Sequence, residues 1–142
     1  MTMADLQRFI DAQRNDYEQA LQEVKSGRKR THWMWYIFPQ IHGLGMTPIS
    51  DYYSIRSLRE AKDYLKDPAL GARLVEISKA LLELNTSDPH AVFGSPDDLK
   101  LRSCMTLFER ADPQNPVFGD VLDKYYRGER DQRTLEILDE DR

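Results

Sequence analysis

After residue 66 a capping residue repeatedly stands directly before a proline, as at Asp67-Pro68, Asp88-Pro89, Ser95-Pro96 and Asn115-Pro116. An aspartate, serine or asparagine oxygen accepts the orphan amides of a helix start. Proline has no amide to waste there and its fixed φ suits the first helical turn. Each pair therefore predicts a helix start. The Asp67 helix carries Leu70, Leu74, Ile77, Leu81 and Leu84 as its inward stripe. The Asp88 helix is short and ends at Gly94, and the next two run from about Pro96 to Arg110 and from Pro116 to Arg127, before Gly128. Asp131 caps a last helix through Leu135 and Leu138, and Ser57-Leu58-Arg59-Glu60 reads as a capping box opening a helix to Lys66 that buries Leu58, Ala61 and Leu65.

The N-terminal stretch has the same period. Leu6, Phe9, Ile10, Gln13, Tyr17, Ala20, Leu21 and Val24 make one stripe, closed by Gly27, while Arg8, Asp11, Arg14, Glu18, Gln22 and Lys25 are expected to face water. Strand-like alternation is nearly absent. The expected fold is all-α: a single compact domain over residues 1–142, with six or seven helices and one long irregular aromatic segment.

Several function classes are disfavoured. A net charge of −4 argues against general nucleic-acid binding, which draws on an excess of cations. Cys104 is the one cysteine, so no internal disulfide is expected. No apolar run approaches the roughly 20 residues of a membrane span, and the N-terminal residues lack a leader pattern, so cytoplasmic localisation is expected. Neither a phosphate loop nor a Rossmann glycine fingerprint is present, and no cofactor is expected. His32, His42 and His90 lack metal-ligand spacing, and no metal is expected.

Residues 28–50 show no helical period and are broken by Pro39, Gly43, Gly45 and Pro48. Irregular segments of this length in compact domains are disproportionately functional. This one holds both tryptophans, Trp33 and Trp35, with Tyr36 and Phe38; Arg28, Lys29, Arg30 and His32 precede or flank them, and Gln40 follows. Flat rings stack a base and cations neutralise phosphate, so Arg30, His32, Trp33, Trp35 and Gln40 are candidate contacts for a nucleotide-like ligand. The plainer alternative is that the aromatics fill the core and the cations answer the helix dipole. Tyr53, just beyond, is a candidate for the same cleft.

A second constellation is Asp97-Asp98-Leu99-Lys100-Leu101-Arg102-Ser103-Cys104. Leu101, Cys104, Met105 and Phe108 form its buried stripe, Asp98 and Arg102 lie one turn apart and are expected to pair, and Lys100 and Ser103 share another face. Two carboxylates at a helix start satisfy capping alone. At the edge of a cleft, Asp98 or Asp97 becomes a candidate catalytic base or cation stabiliser, with Lys100, Arg102 and Ser103 as ligand contacts. Cys104 is expected to be packing rather than nucleophile.

Several of these runs together, His32-Trp33-Met34-Trp35, Phe38-Pro39-Gln40, Gly43-Leu44-Gly45, Pro68-Ala69-Leu70-Gly71-Ala72-Arg73-Leu74 and Phe93-Gly94-Ser95-Pro96-Asp97-Asp98-Leu99-Lys100-Leu101, resemble the bacterial family labelled domain of unknown function 1810, which also carries the automated name "calpastatin". The resemblance spans about Leu6 to Leu138 and implies an all-α domain of this size, without an activity. Ser50-Asp51-Tyr52-Tyr53, the 101–108 helix and Asn115-Pro116 also resemble segments of the NAD- and ADP-ribose-associated superfamily, whose members include N-glycosidases. That superfamily has a glutamate-histidine pair where this chain has Ser50-Asp51.

Three functions are consistent with this pattern. The first is an enzyme acting on a phosphorylated or nucleotide-like small molecule, for example by N-glycosidic hydrolysis; the others are a non-catalytic metabolite-binding protein and a protein-interaction module displaying the tryptophans. All of them turn on whether the two indoles and the 97–103 helix start meet at one cleft.

Overall fold

The computed structural model describes residues 2–45 and 47–140, with the side chains of residues 2–5 left aside; Met1, which opens the expected leader-free N-terminus, lies outside the described residues. All seven expected helices are present: α1 (Thr2–Lys25), α4 (Leu58–Lys66), α5 (Leu70–Leu82), α6 (Pro89–Phe93), α7 (Asp97–Ala111), α8 (Val117–Tyr126) and α9 (Gln132–Glu140). Two short helices, α2 (Met34–Ile37) and α3 (Pro48–Tyr52), lie inside the segment read as irregular.

The caps act largely as their chemistry requires. Asp67 accepts the amides of Ala69 and Leu70, Asp88 that of His90, Asn115 that of Val117 and Asp131 that of Thr134. Ser95 departs from the pattern. Pro96 is the residue before the first turn of α7, and no side chain caps it. Ser57 accepts the Glu60 amide, but Glu60 reaches back to the amide of Arg56 rather than closing the box on Ser57.

That departure has a cause in α1. Arg8, expected in water, instead donates to Glu60 at 3.1 Å and to the carbonyls of Tyr52 and Ser54, so its guanidinium is packed between α1 and α4. Its charge is answered by a carboxylate that is itself buried.

Helix α7 is central, packing against α4, α6, α8 and α9, while α5 lies between α1 and α8. Its residues 103–108 are buried without interruption, the mark of a helix covered from several sides. A column of rings crosses the interior from α1 to α8. Phe9 meets Tyr64 edge-on at 5.3 Å, Tyr64 lies 5.2 Å from Phe108, and Phe108 is 6.0 Å from Phe118. Burying one such phenylalanine stabilises the fold by roughly 1.5–3 kcal/mol, so the column outweighs any single polar contact around it. Between α4 and α5 the backbones nearly touch: a Cβ on Gly71 would sit 2.1 Å from the Leu65 carbonyl oxygen.

Only one β-type contact occurs among the described residues, an isolated parallel bridge between Ile41 and Ile55. The Ile55 amide donates to Gln40 and the His42 amide to Ile55, at 2.8 and 2.7 Å. These bonds draw together the two ends of the excursion that carries α3. No described helix is long and apolar enough to cross a membrane.

Candidate ligand cleft

The aromatic segment is organised by one carboxylate. Glu23, at the end of α1 and 3% exposed, accepts from the backbone amides of Arg30 and Thr31, the Thr31 hydroxyl, the Trp33 indole N–H and the Gln19 amide, at 2.7–3.0 Å. Burial alone would raise its pKa. The converging donors, led by the Arg30 amide and followed by Gln19 and Thr31, outweigh that and hold it at about 2. The carboxylate thus turns the chain after Gly27 and draws Trp33 inward.

Trp33 is accordingly a core residue, 1% exposed and packed against Phe38 and Phe93. The expectation that it stacks a ligand is corrected: its ring faces are covered and its one donor is already used. Trp35 differs because α2 turns it outward, where it is half-buried at the surface.

The acid-opened start of α7 connects the two indoles through lysines. Asp97 lies 3.0 Å from Lys29 Nζ and 3.4 Å from Lys100 Nζ. Lys29 sits over the Trp33 ring at 5.2 Å from its centroid, and Lys100 over the Trp35 ring at 5.4 Å. Asp97 is therefore a positioning carboxylate shared by both cations.

On the Trp35 side of this relay lies a cleft of about 430 Å³, within the range of small-molecule sites. Trp35, Gln40, Lys100 and Ser103 line it together with Leu99 and Pro96. The opposite wall comes from the Ile41–Ile55 excursion, through Leu44, Thr47, Ile49 and Ser50. Thr47 and Ser50 cap α3 reciprocally, which fixes their hydroxyls. Asp131 and Arg133, at the start of α9, close one end. Tyr53 borders a smaller hollow that shares Trp35 and Gln40 with the cleft.

Other expected contacts lie apart. Arg30 and His32 are exposed, and neither lines the cleft. Asp98 does not line it either: its carboxylate accepts the Leu99 amide and lies 3.6 Å from His90, while its carbonyl accepts a short hydrogen bond from the Tyr126 hydroxyl. Burial, then the nearby Asp98 charge, pushes the Tyr126 hydroxyl far above its ordinary pKa. The expected Asp98–Arg102 pair is absent. Arg102 turns instead toward Asp131 and Glu129, at 3.6 and 3.9 Å, because those acids stand beside it at the start of α9.

Asp131 is the carboxylate that the sequence reading missed as a site residue. Its capping role hid it. Its own amide donates to Thr106, while its side chain accepts the amide and hydroxyl of buried Thr134. The carboxylate is therefore held rigidly at the cleft end. Cys104 is fully buried, and burial pushes its thiol well above the ordinary range, which suits packing and not nucleophilic chemistry. Among the described residues, no group of three metal-ligating side chains converges.

A small all-α domain with a surface cleft bordered by Trp35 is the class these features define. The chain belongs to the family described as protein of unknown function (DUF1810), whose model matches residues 3–138. It is similar to the conserved hypothetical protein Rv1873 from Mycobacterium tuberculosis, known from a crystal structure at 1.38 Å. The two are 46% identical over 95% of this chain and 96% of that one, with a TM-score of 0.93. No curated protein matches.

Proposed function

We propose that this protein binds a flat-ringed, phosphorylated or nucleotide-like small molecule in the Trp35 cleft, in the cytoplasm. The observation that carries the reading is the pairing of Trp35 with Lys100, a ring face and a cation held 5.4 Å apart by Asp97 at the mouth of a cleft of suitable volume. A planar ligand gains from stacking on the indole, and its anionic group gains from the ammonium. Gln40, Ser50, Thr47 and Ser103 supply the convergent polar groups that orient a ligand, and Leu44, Ile49 and Leu99 supply the apolar rim.

Binding has more support here than turnover. The two acids first considered for catalysis are engaged elsewhere, Asp97 between two lysines and Asp98 beside His90 and its own helix start. N-glycosidic hydrolysis would fall to Asp131, the carboxylate that lines the cleft. A protein-interaction role for the tryptophans has the least support, since one indole is in the core and the other half-buried.

Isothermal titration calorimetry with purine and pyrimidine nucleosides and their phosphates tests the reading. Stacking on an aromatic side chain is worth about 1–3 kcal/mol, so Trp35→Leu should weaken binding by roughly 5- to 150-fold while the circular-dichroism melt stays cooperative. Absence of binding heat and of thermal stabilisation across the panel would refute the proposal.

A further inference from the structure

Asp131 and Arg133, which close one end of the cleft, also border a hollow on their far side. This second hollow, of about 530 Å³, continues past Arg102 and Gln132. Resting on the binding role proposed above, we infer that the two hollows form one elongated site. Its ligand lays a ring on Trp35, a hydroxyl on Asp131, and a terminal oxyanion such as a diphosphate between Arg102 and Arg133.

The charges of the second hollow carry this. Three arginines border it, but they are not equivalent. Arg130 is committed, donating through Nε and a terminal nitrogen to both oxygens of Glu109. Arg102 is not. Its terminal nitrogens stand 3.6 and 3.9 Å from Asp131 and Glu129, beyond hydrogen-bond reach, and its Nε is buried without a hydrogen-bond partner. Glu129, the farther acid, is on an exposed side chain that can swing aside. An oxyanion entering here meets the terminal nitrogens of a guanidinium that lies over the Tyr126 ring and has no carboxylate at hydrogen-bond distance, and such an anion is the partner a planar fork serves best. Arg133, paired at the surface with Glu136, borders the same hollow.

Asp131 explains the middle of the ligand. Thr106 and Thr134 fix it in place, and it faces both hollows. A rigid carboxylate that only accepts hydrogen bonds selects a donor, and a neutral hydroxyl meets that need without bringing an anion against its charge. Ring, hydroxyl and distal oxyanion in that order describe a nucleoside diphosphate, not a free base or a simple phosphate.

Calorimetric titration of the full chain with adenosine, uridine and their 5′-diphosphates decides the matter. The diphosphates should bind at least about tenfold more tightly than the nucleosides. Arg102→Gln should remove most of that advantage while leaving nucleoside affinity within about twofold, and the surface variant Arg133→Gln should independently lower diphosphate affinity. Asp131→Asn, which keeps a capping oxygen, should weaken nucleosides and diphosphates alike. Nucleosides that bind as tightly as diphosphates, with both arginine variants silent, would overturn the elongated site and leave the Trp35 reading intact. No binding by any of the four would overturn both.

Discussion

Replacing Glu23 by glutamine tests the organisation of the aromatic segment most directly. The carboxylate gathers five donors, two of them backbone amides and one the Trp33 indole. An amide keeps one acceptor oxygen and turns a second donor toward groups that already donate. The folded pKa is depressed from 4.5 to about 2, so the ionised carboxyl contributes stability that is fully present above pH 4.5 and lost as pH falls through 2. At 1.36 kcal/mol per unit, that contribution is about 3 kcal/mol at pH 7 and about 1.4 kcal/mol at pH 3. Contributions common to both proteins cancel in their difference. The stability difference between wild type and Glu23→Gln, from urea unfolding followed by tryptophan fluorescence, should therefore shrink by about 2 kcal/mol between pH 7 and pH 3. A difference below about 1 kcal/mol at pH 7, or one independent of pH, would refute the idea that Glu23 holds the segment as a charged acceptor.

Two further outcomes follow from packing. Gly71→Ala inserts a methyl where the Leu65 carbonyl already stands, so it should cost about 3 kcal/mol or more in thermal unfolding, although helix propensity alone would favour alanine by about 1 kcal/mol. A stabilised variant would show that α4 and α5 can separate. Cys104 should resist Ellman's reagent in native buffer and react once in denaturant, because its thiol is buried with a raised pKa; rapid native labelling would contradict that burial.

The helices were legible because their signals are local. A cap, a proline and an apolar stripe lie within one or two turns of each other, and all seven expected helices are present. Helices α2 and α3 were hidden because four or five residues carry too little period to register, and Thr47-Pro48 resembled one more loop breaker. Burial depends on long-range partners and was harder to read. Trp33 and Trp35 are two positions apart in the same run, yet only the Glu23 carboxylate, ten residues earlier, decides which enters the core. Arg8 was misread for the same reason, since its partner Glu60 lies 52 positions away. Lys100, Ser103, Gln40 and Trp35 border one cleft, whereas Asp131 was passed over because capping already explained it.

The pinch between Ile41 and Ile55 has an evolutionary consequence. Because the chain leaves and re-enters the body at that neck, one lip of the cleft is tethered at its base while the facing lip is built from the helices themselves. Lengthening such a lobe adds only about 0.6 kcal/mol of closure entropy per doubling. A change of length there is absorbed at the neck, so the lip can be reshaped while the scaffold beneath stays unchanged.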